Sequence, residues 1–132
     1  MINSALTIPP FNGGVKPMIE ITKEVFGYPI TVTASPAGSD WNILISGGCS
    51  PHVGSVSLAE FKDNTVILRT LLRDTHKDQI VGDQFARTLA LQLRCTVCVS
   101  CGIHFDNPSP DDLNDIVVVS EALLSELSEK LQ

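Results

Sequence analysis

Aromatic side chains are scarce, at 5% of 132 residues, too few for the stacking platform that single-stranded nucleic acid requires. Positive charge is short too. Nine Lys and Arg against fifteen Asp and Glu leave a net charge of −6, the wrong sign for gripping a duplex, whose binders gather cations on one surface. No apolar run approaches the ~20 residues of a membrane span, and the opening MINSALTIPPFNGG has neither the basic start nor the apolar core of a secretion signal. The expectation is a cytoplasmic protein with no nucleic-acid and no membrane partner. Missing as well are Gly-x-Ser-x-Gly, His-Glu-x-x-His, a Walker loop and a dinucleotide fingerprint, so none of the common nucleophile, zinc-peptidase or nucleotide sites is written in the chain.

What is present suits one domain. The length is enough to bury roughly two-thirds of the unfolded surface, and 43% hydrophobic content is ordinary for a globular chain. Residues 1–16, rich in Pro, Gly and Asn, read as a flexible N-terminal arm, with a single domain over 17–132. Ile19, Ile21 and Val25 alternate with Glu20, Thr22 and Glu24, the period of a half-buried strand. Further strands are expected over Pro29–Ala34, Trp41–Ser46, Val53–Phe61 and Thr65–Leu72, giving an antiparallel meander of five. The period then lengthens. Val81, Phe85, Leu89 and Leu93 recur every four residues, a helix over Gln79–Leu93 that buries one stripe. A sixth strand spans Cys95–Cys101. Ser109-Pro110-Asp111-Asp112 then combines a capping hydroxyl, a first-turn proline and acids at a helix start. In that last helix Leu113, Ile116, Val117, Leu123, Leu124, Leu127 and Leu131 form the expected buried face. The fold class is α+β: a mainly antiparallel sheet of about six strands with two helices packed on one face.

Three of the four cysteines lie in CTVCVSC, residues 95–101, which raises the question of a metal. Strand alternation turns Cys98 away from Cys95 and Cys101 and sets those two about 20 Å apart. A single tetrahedral ion cannot collect them. They are expected to be small core residues instead.

Strand directions draw attention to one end of the sheet. If the third strand runs up, the fourth runs down, the fifth up and, after a crossover helix, the sixth up again. The loops GGCSPH, RDTHKD and GIHFDN then emerge together, and they hold all three histidines, His52, His76 and His104. Two helix N-termini point the same way, a setting that favours an anionic ligand. Polar loops gather histidines without any ligand too, and taken singly Gly47, Gly48 and Gly54 serve equally well as turn glycines.

GGCSPHVGSVSLA, THKDQIVGDQFARTLA and VSCGIHFDNPSPDDL, in this order and spacing, resemble the LpdD-type prenylated-flavin chaperones that accompany UbiD-family decarboxylases. The similarity runs from about Trp41 to Leu131. It implies a proteasome-assembly-chaperone-like fold, a homodimer, and binding of reduced prenylated FMN for delivery to an apo UbiD-type decarboxylase of hydroxybenzoate or gallate type, with no catalysis of its own. Carried over by position, the cofactor-facing candidates are Gly47, Gly48, Pro51, His52 and Gly54 in the first loop, His76, Lys77 and Asp78 in the second, and Gly102, His104, Asp106 and Asn107 in the third. At Cys49-Ser50 the chain departs from the family pattern, which more usually carries a charged residue. Two other readings stay open: a small enzyme or decarboxylase accessory subunit using His52, His104 and Asp106 for acid–base or metal chemistry, and a protein-assembly chaperone without cofactor.

Overall fold

The computed structural model describes residues 16–73 and 79–132. Residues 1–15 of the expected arm lie outside that range, as do His76, Lys77 and Asp78. Six strands, β1 (Ile19–Val25), β2 (Tyr28–Ala37), β3 (Asp40–Gly48), β4 (Ser55–Lys62), β5 (Thr65–Leu72) and β6 (Thr96–His104), accompany two helices, α1 (Gln79–Leu93) between β5 and β6, and α2 (Pro110–Leu131) at the end. This is the expected α+β class. The neighbour order is not a meander of five. Across the sheet it is β1-β2-β3-β6-β4-β5, with β6 inserted between β3 and β4, parallel to β3 and antiparallel to β4. Directions are as expected, because β5 and β6 point the same way with β4 between them.

Alternation within the strands builds the core. Ile21, Val25, Ile30, Val32, Ala34, Trp41, Ile43, Ile45, Ala59, Val97, Val99 and Cys101 are buried on one face, where α1 contributes Phe85 and Leu89 and α2 contributes Leu123, Leu124 and Leu127. Each large side chain among them stabilises the fold by about 1.5–3 kcal/mol. Small residues set the closeness of α1. A Cβ added to Gly82 would stand 3.2 Å from Ser57 Oγ and 3.3 Å from both Ser55 Oγ and Cys101 Cβ. In the next position, Asp83 accepts hydrogen bonds from Ser57 Oγ at 2.7 Å and Thr70 Oγ1 at 2.6 Å, which pegs the helix to β4 and β5. The α2 start has the expected cap. Ser109 Oγ accepts from the Asp112 amide and the Asp112 carboxylate accepts from the Ser109 amide, satisfying two donors that the first helical turn leaves open.

The expected buried face of α2 is only partly so. Ser120, Leu123, Leu124, Leu127 and Ser128 are buried and Ile116 and Leu131 are half-buried, but Leu113 and Val117 are 50% and 48% exposed. Leu113 sits on the same stripe, three residues before Ile116 and seven before Ser120. The reason for its exposure is length. Lys23 of β1 pairs with Glu126 at 3.1 Å, and running both elements from that level to the end of β1 at Val25 reaches about residue 122 of α2. The turn carrying Leu113 therefore extends about 13 Å past the end of β1.

Two hairpins offer a comparison. Asp63 and Asn64, at the β4–β5 turn, have φ of 54° and 61°, a left-handed pair of the residue types that tolerate it. The β1–β2 turn uses Phe26 and Gly27, at 54° and 79°. A phenylalanine there is strained, at about 1–2 kcal/mol.

Candidate functional site

The insertion of β6 explains the glycines at the histidine-bearing end. Strands β3 and β4 flank β6 and lie about 10 Å apart, so the connection 49–54 must cross over the end of β6. It does so against backbone. Cys49 N donates to His104 O at 2.7 Å, His52 N to Gly102 O at 3.4 Å and Gly54 N to Cys101 O at 2.9 Å. A Cβ on Gly102 would fall 1.6 Å from His52 O, and one on Gly48, whose φ is +83°, would fall 2.1 Å from His104 O. Gly47 is equally confined, with Pro29 O at 2.5 Å from its added Cβ. Gly47, Gly48, Gly54 and Gly102 are all buried. They let two loops close on each other, and the surface of this end is made by other residues.

Those surface residues are the imidazoles and their neighbours. His52 is half-buried, with Nδ1 3.0 Å from Ser50 O; since a carbonyl only accepts, Nδ1–H donates. His104 is exposed, its Nε2 2.9 Å from Asp106 Oδ1. Pro51, Asp106 and Asn107 are exposed as well, Asn107 with φ of 43°. The first and third candidate loops thus meet. The second begins beside them, where Arg73 N donates to Gly54 O at 2.9 Å and Arg73 Nη1 to Val53 O at 2.9 Å.

Sequence reasoning missed a cleft of about 190 Å³ at this end, lined by Val53, Gly54, Ser55, Val56, Leu71, Leu72 and Arg73. Its walls are mainly aliphatic, with one guanidinium at the rim. A hint was present in Arg73, the first residue after β5 and the residue that opens the RDTHKD loop. The signal was weak, since Leu71, 76% exposed, reads as an ordinary strand residue. Inside the sheet–helix layer, Ser55 Oγ is buried with no hydrogen-bond partner.

An aromatic group was missed too. Phe105 meets the rings of Phe26 at 5.8 Å and Tyr28 at 6.2 Å, both edge to face. Among the described residues no cluster of His, Cys, Asp and Glu is arranged to hold a metal ion. Cys101 is buried in the core, whereas Cys95 and Cys98 are half-buried, Cys98 on the opposite face of β6. No helix among the described residues is long and apolar enough to cross a membrane.

Comparison with known proteins agrees with this architecture. A chain from a chaperone complex for yeast 20S proteasome assembly superposes with a TM-score of 0.55, over 87% of this chain and 98% of its own length, at 13% identity. That likeness is one of fold. Protein LpdD of Lactiplantibacillus plantarum is 26% identical over 113 residues, covering 76% of this chain and 83% of that protein. The family model for the prenylated flavin chaperone LpdD-like domain matches residues 24–132, from the end of β1 through both histidine loops to the last residue of α2 and beyond, and the chain belongs to that family.

Proposed function

We propose that this protein binds reduced prenylated FMN at the loop end of its sheet and hands it to an apo UbiD-type decarboxylase acting on hydroxybenzoate- or gallate-like acids, with no turnover of its own. The observation that carries the reading is the joining of two interlocked histidine loops to an aliphatic cleft rimmed by Arg73. Such a donor set suits this ligand. The flavin phosphate seeks a cation, and a guanidinium with one donor on Val53 O keeps others to offer. Aliphatic walls suit the added hydrocarbon ring, and His52 and His104 supply hydrogen-bonding edges. At about 190 Å³ the cleft is below the usual volume of a ligand pocket. It holds part of the molecule and leaves the rest accessible, as a carrier that must release its cargo requires. The redox chemistry of the flavin belongs to the recipient enzyme.

A homodimer completes the picture. The sheet face away from the helices exposes Leu44, Val56, Leu58 and Leu71, an apolar set that a twofold-related copy would cover. Val56 and Leu71 also line the cleft, so that copy would wall its open side. None of the four cysteines forms a disulfide, which suits the reducing cytoplasm.

Anaerobic titration with reduced prenylated FMN, beside FMN and FAD, tests the reading by absorbance. His52→Ala should weaken binding of the prenylated cofactor about five- to thirty-fold, the worth of one hydrogen bond to a neutral or phosphate partner, and leave the melting temperature unchanged. A lower melting temperature with unchanged affinity would assign His52 to its bond with Ser50 O alone. One observation favours a second reading: the His104–Asp106 pair at 2.9 Å has the form of an oriented acid–base group. Turnover of a hydroxybenzoate by the purified protein, with no decarboxylase present, would favour it over the carrier.

A further inference from the structure

Phe26 is an aromatic residue at the tip of a hairpin, in the left-handed conformation, and 49% exposed. Nothing in the β1–β2 turn demands a phenylalanine. The β4–β5 turn has the same two-residue form and fills it with Asp63 and Asn64, the residue types that this geometry favours. The β1–β2 tip lies at the loop end of the sheet, since β1 runs parallel to β3, and Tyr28, 44% exposed, stands beside it. Phe105, next to His104, reaches across to both rings. Strand alternation puts Tyr28 on the helix side of the sheet, with Ile30 and Val32, where the overhanging first turns of α2 carry their apolar stripe past the end of β1. Leu113 and Val117 therefore face no sheet.

We propose that this knob of Phe26, Tyr28 and Phe105, together with the exposed Leu113 and Val117 of α2, is the docking surface for the recipient decarboxylase; the inference rests on the carrier reading given above. Shape separates it from the ligand cleft. Ligand sites are concave, whereas a hairpin tip and a projecting helix are convex, and an exposed aromatic anchor entering a partner's pocket is a typical source of binding energy between proteins. Charge defines the partner's chemistry. Asp106 follows Phe105 in the chain, Asp111, Asp112 and Asp115 flank Leu113, and no Lys or Arg occurs between Cys95 and Glu129. The matching surface is an apolar pocket ringed by Lys and Arg. A second copy of this acidic chain would meet like charge there. Because knob and cleft share one end of the sheet, docking would bring the recipient to the cargo without prior release into water.

The test uses full-length protein and a purified apo UbiD-type decarboxylase from the same organism, without flavin. Phe26→Asn should weaken the complex about tenfold or more, in the manner of a central aromatic anchor, while its melting temperature stays level or rises, because Asn tolerates the turn better. Leu113→Gln should act in the same direction, and added salt should weaken the wild-type complex. Flavin affinity of the uncomplexed variants should be unchanged. Unaltered decarboxylase binding in both variants would overturn the proposal. So would weaker flavin binding at unchanged decarboxylase affinity, which would make the aromatic group part of the ligand site, or loss of self-association, which would make it a contact between copies. A wild-type protein that binds flavin yet never binds the decarboxylase would remove the delivery reading and this surface with it, whereas Phe26→Asn failing to weaken a complex that wild type forms would remove the surface alone.

Discussion

Replacing Gly102 with Ala should damage the loop end of the sheet more than any conservative change nearby. The new Cβ would stand 1.6 Å from His52 O and 2.3 Å from His52 C, and both atoms are backbone. No side chain can swing away. Restoring an ordinary contact of 3.4 Å moves the 49–54 connection outward by nearly 2 Å, which carries His52 N and Gly54 N, now 3.4 and 2.9 Å from their acceptors on Gly102 and Cys101, out of hydrogen-bond range. Two such bonds are worth about 1 kcal/mol each. Residual overpacking adds about 1–3 kcal/mol. At roughly 3–4 °C per kcal/mol for a chain of this size, Gly102→Ala should melt about 10–20 °C below wild type. Thermal unfolding by circular dichroism gives that shift, and native-state hydrogen exchange should find the Gly54 amide newly unprotected. A variant melting within about 2 °C of wild type, with Gly54 still protected, would refute the account of why glycine stands at this position.

Asp83→Ala should cost about 2–4 kcal/mol in denaturant unfolding, since it deletes the acceptor of two hydroxyls and strands Ser57, which is fully buried; a loss under 1 kcal/mol would mean that another acceptor replaces the carboxylate. Ser109→Ala should cost about 1 kcal/mol through the cap of α2, and Ser109→Asp should recover most of it, which the same unfolding experiment measures. Burial first, and the Asp40 carboxylate second, hold the Cys95 thiol above the usual range, with Lys16 opposing. A pKa raised by folding means that the protonated thiol contributes its stability below the ordinary value of about 8.5 and that this is lost as pH rises through the folded value. Site-resolved alkylation read by mass spectrometry should accordingly show the rate at Cys95 rising at higher pH than that of free cysteine, and a coincident profile would count against it.

Much of the fold was legible because burial period is a local property. The α1 stripe of Phe85 and Leu89, the cap at Ser109 and the bounds of β5 and α1 follow from spacing alone. Neighbour order is not local. The β6 segment alternates Val97 and Val99 with small polar residues in a way that any interior strand could share, and nothing in it says that it enters between β3 and β4. From this follow the other departures. With β3 and β4 taken as adjacent, Gly47 and Gly48 looked like turn residues, whereas they end a strand that continues beside β6 as far as His104. The overhang of α2 escaped notice for a related reason: the stripe through Leu113 and Val117 is indistinguishable in sequence from the part that meets the sheet, and only the length of β1 decides where support ends.

The convergence of the His52 and His104 loops holds although β6 lies between β3 and β4, because it depends on direction, not adjacency. Each antiparallel hairpin reverses the chain, and a strand–helix–strand crossover restores it, so β3, β5 and β6 all finish at one end of the sheet whichever strands are neighbours. What adjacency adds is the grip between the loops. Had β3 paired with β4, the connection 49–54 would have been a hairpin standing clear of β6, with its amides open to a ligand. Inserted as it is, β6 takes the amides of Cys49, His52 and Gly54 for its own carbonyls. Under the proposed carrier role, recognition at this end falls to side chains, His52, His104 and Arg73, and the glycines contribute by closeness: they let the two imidazole-bearing loops pack against each other.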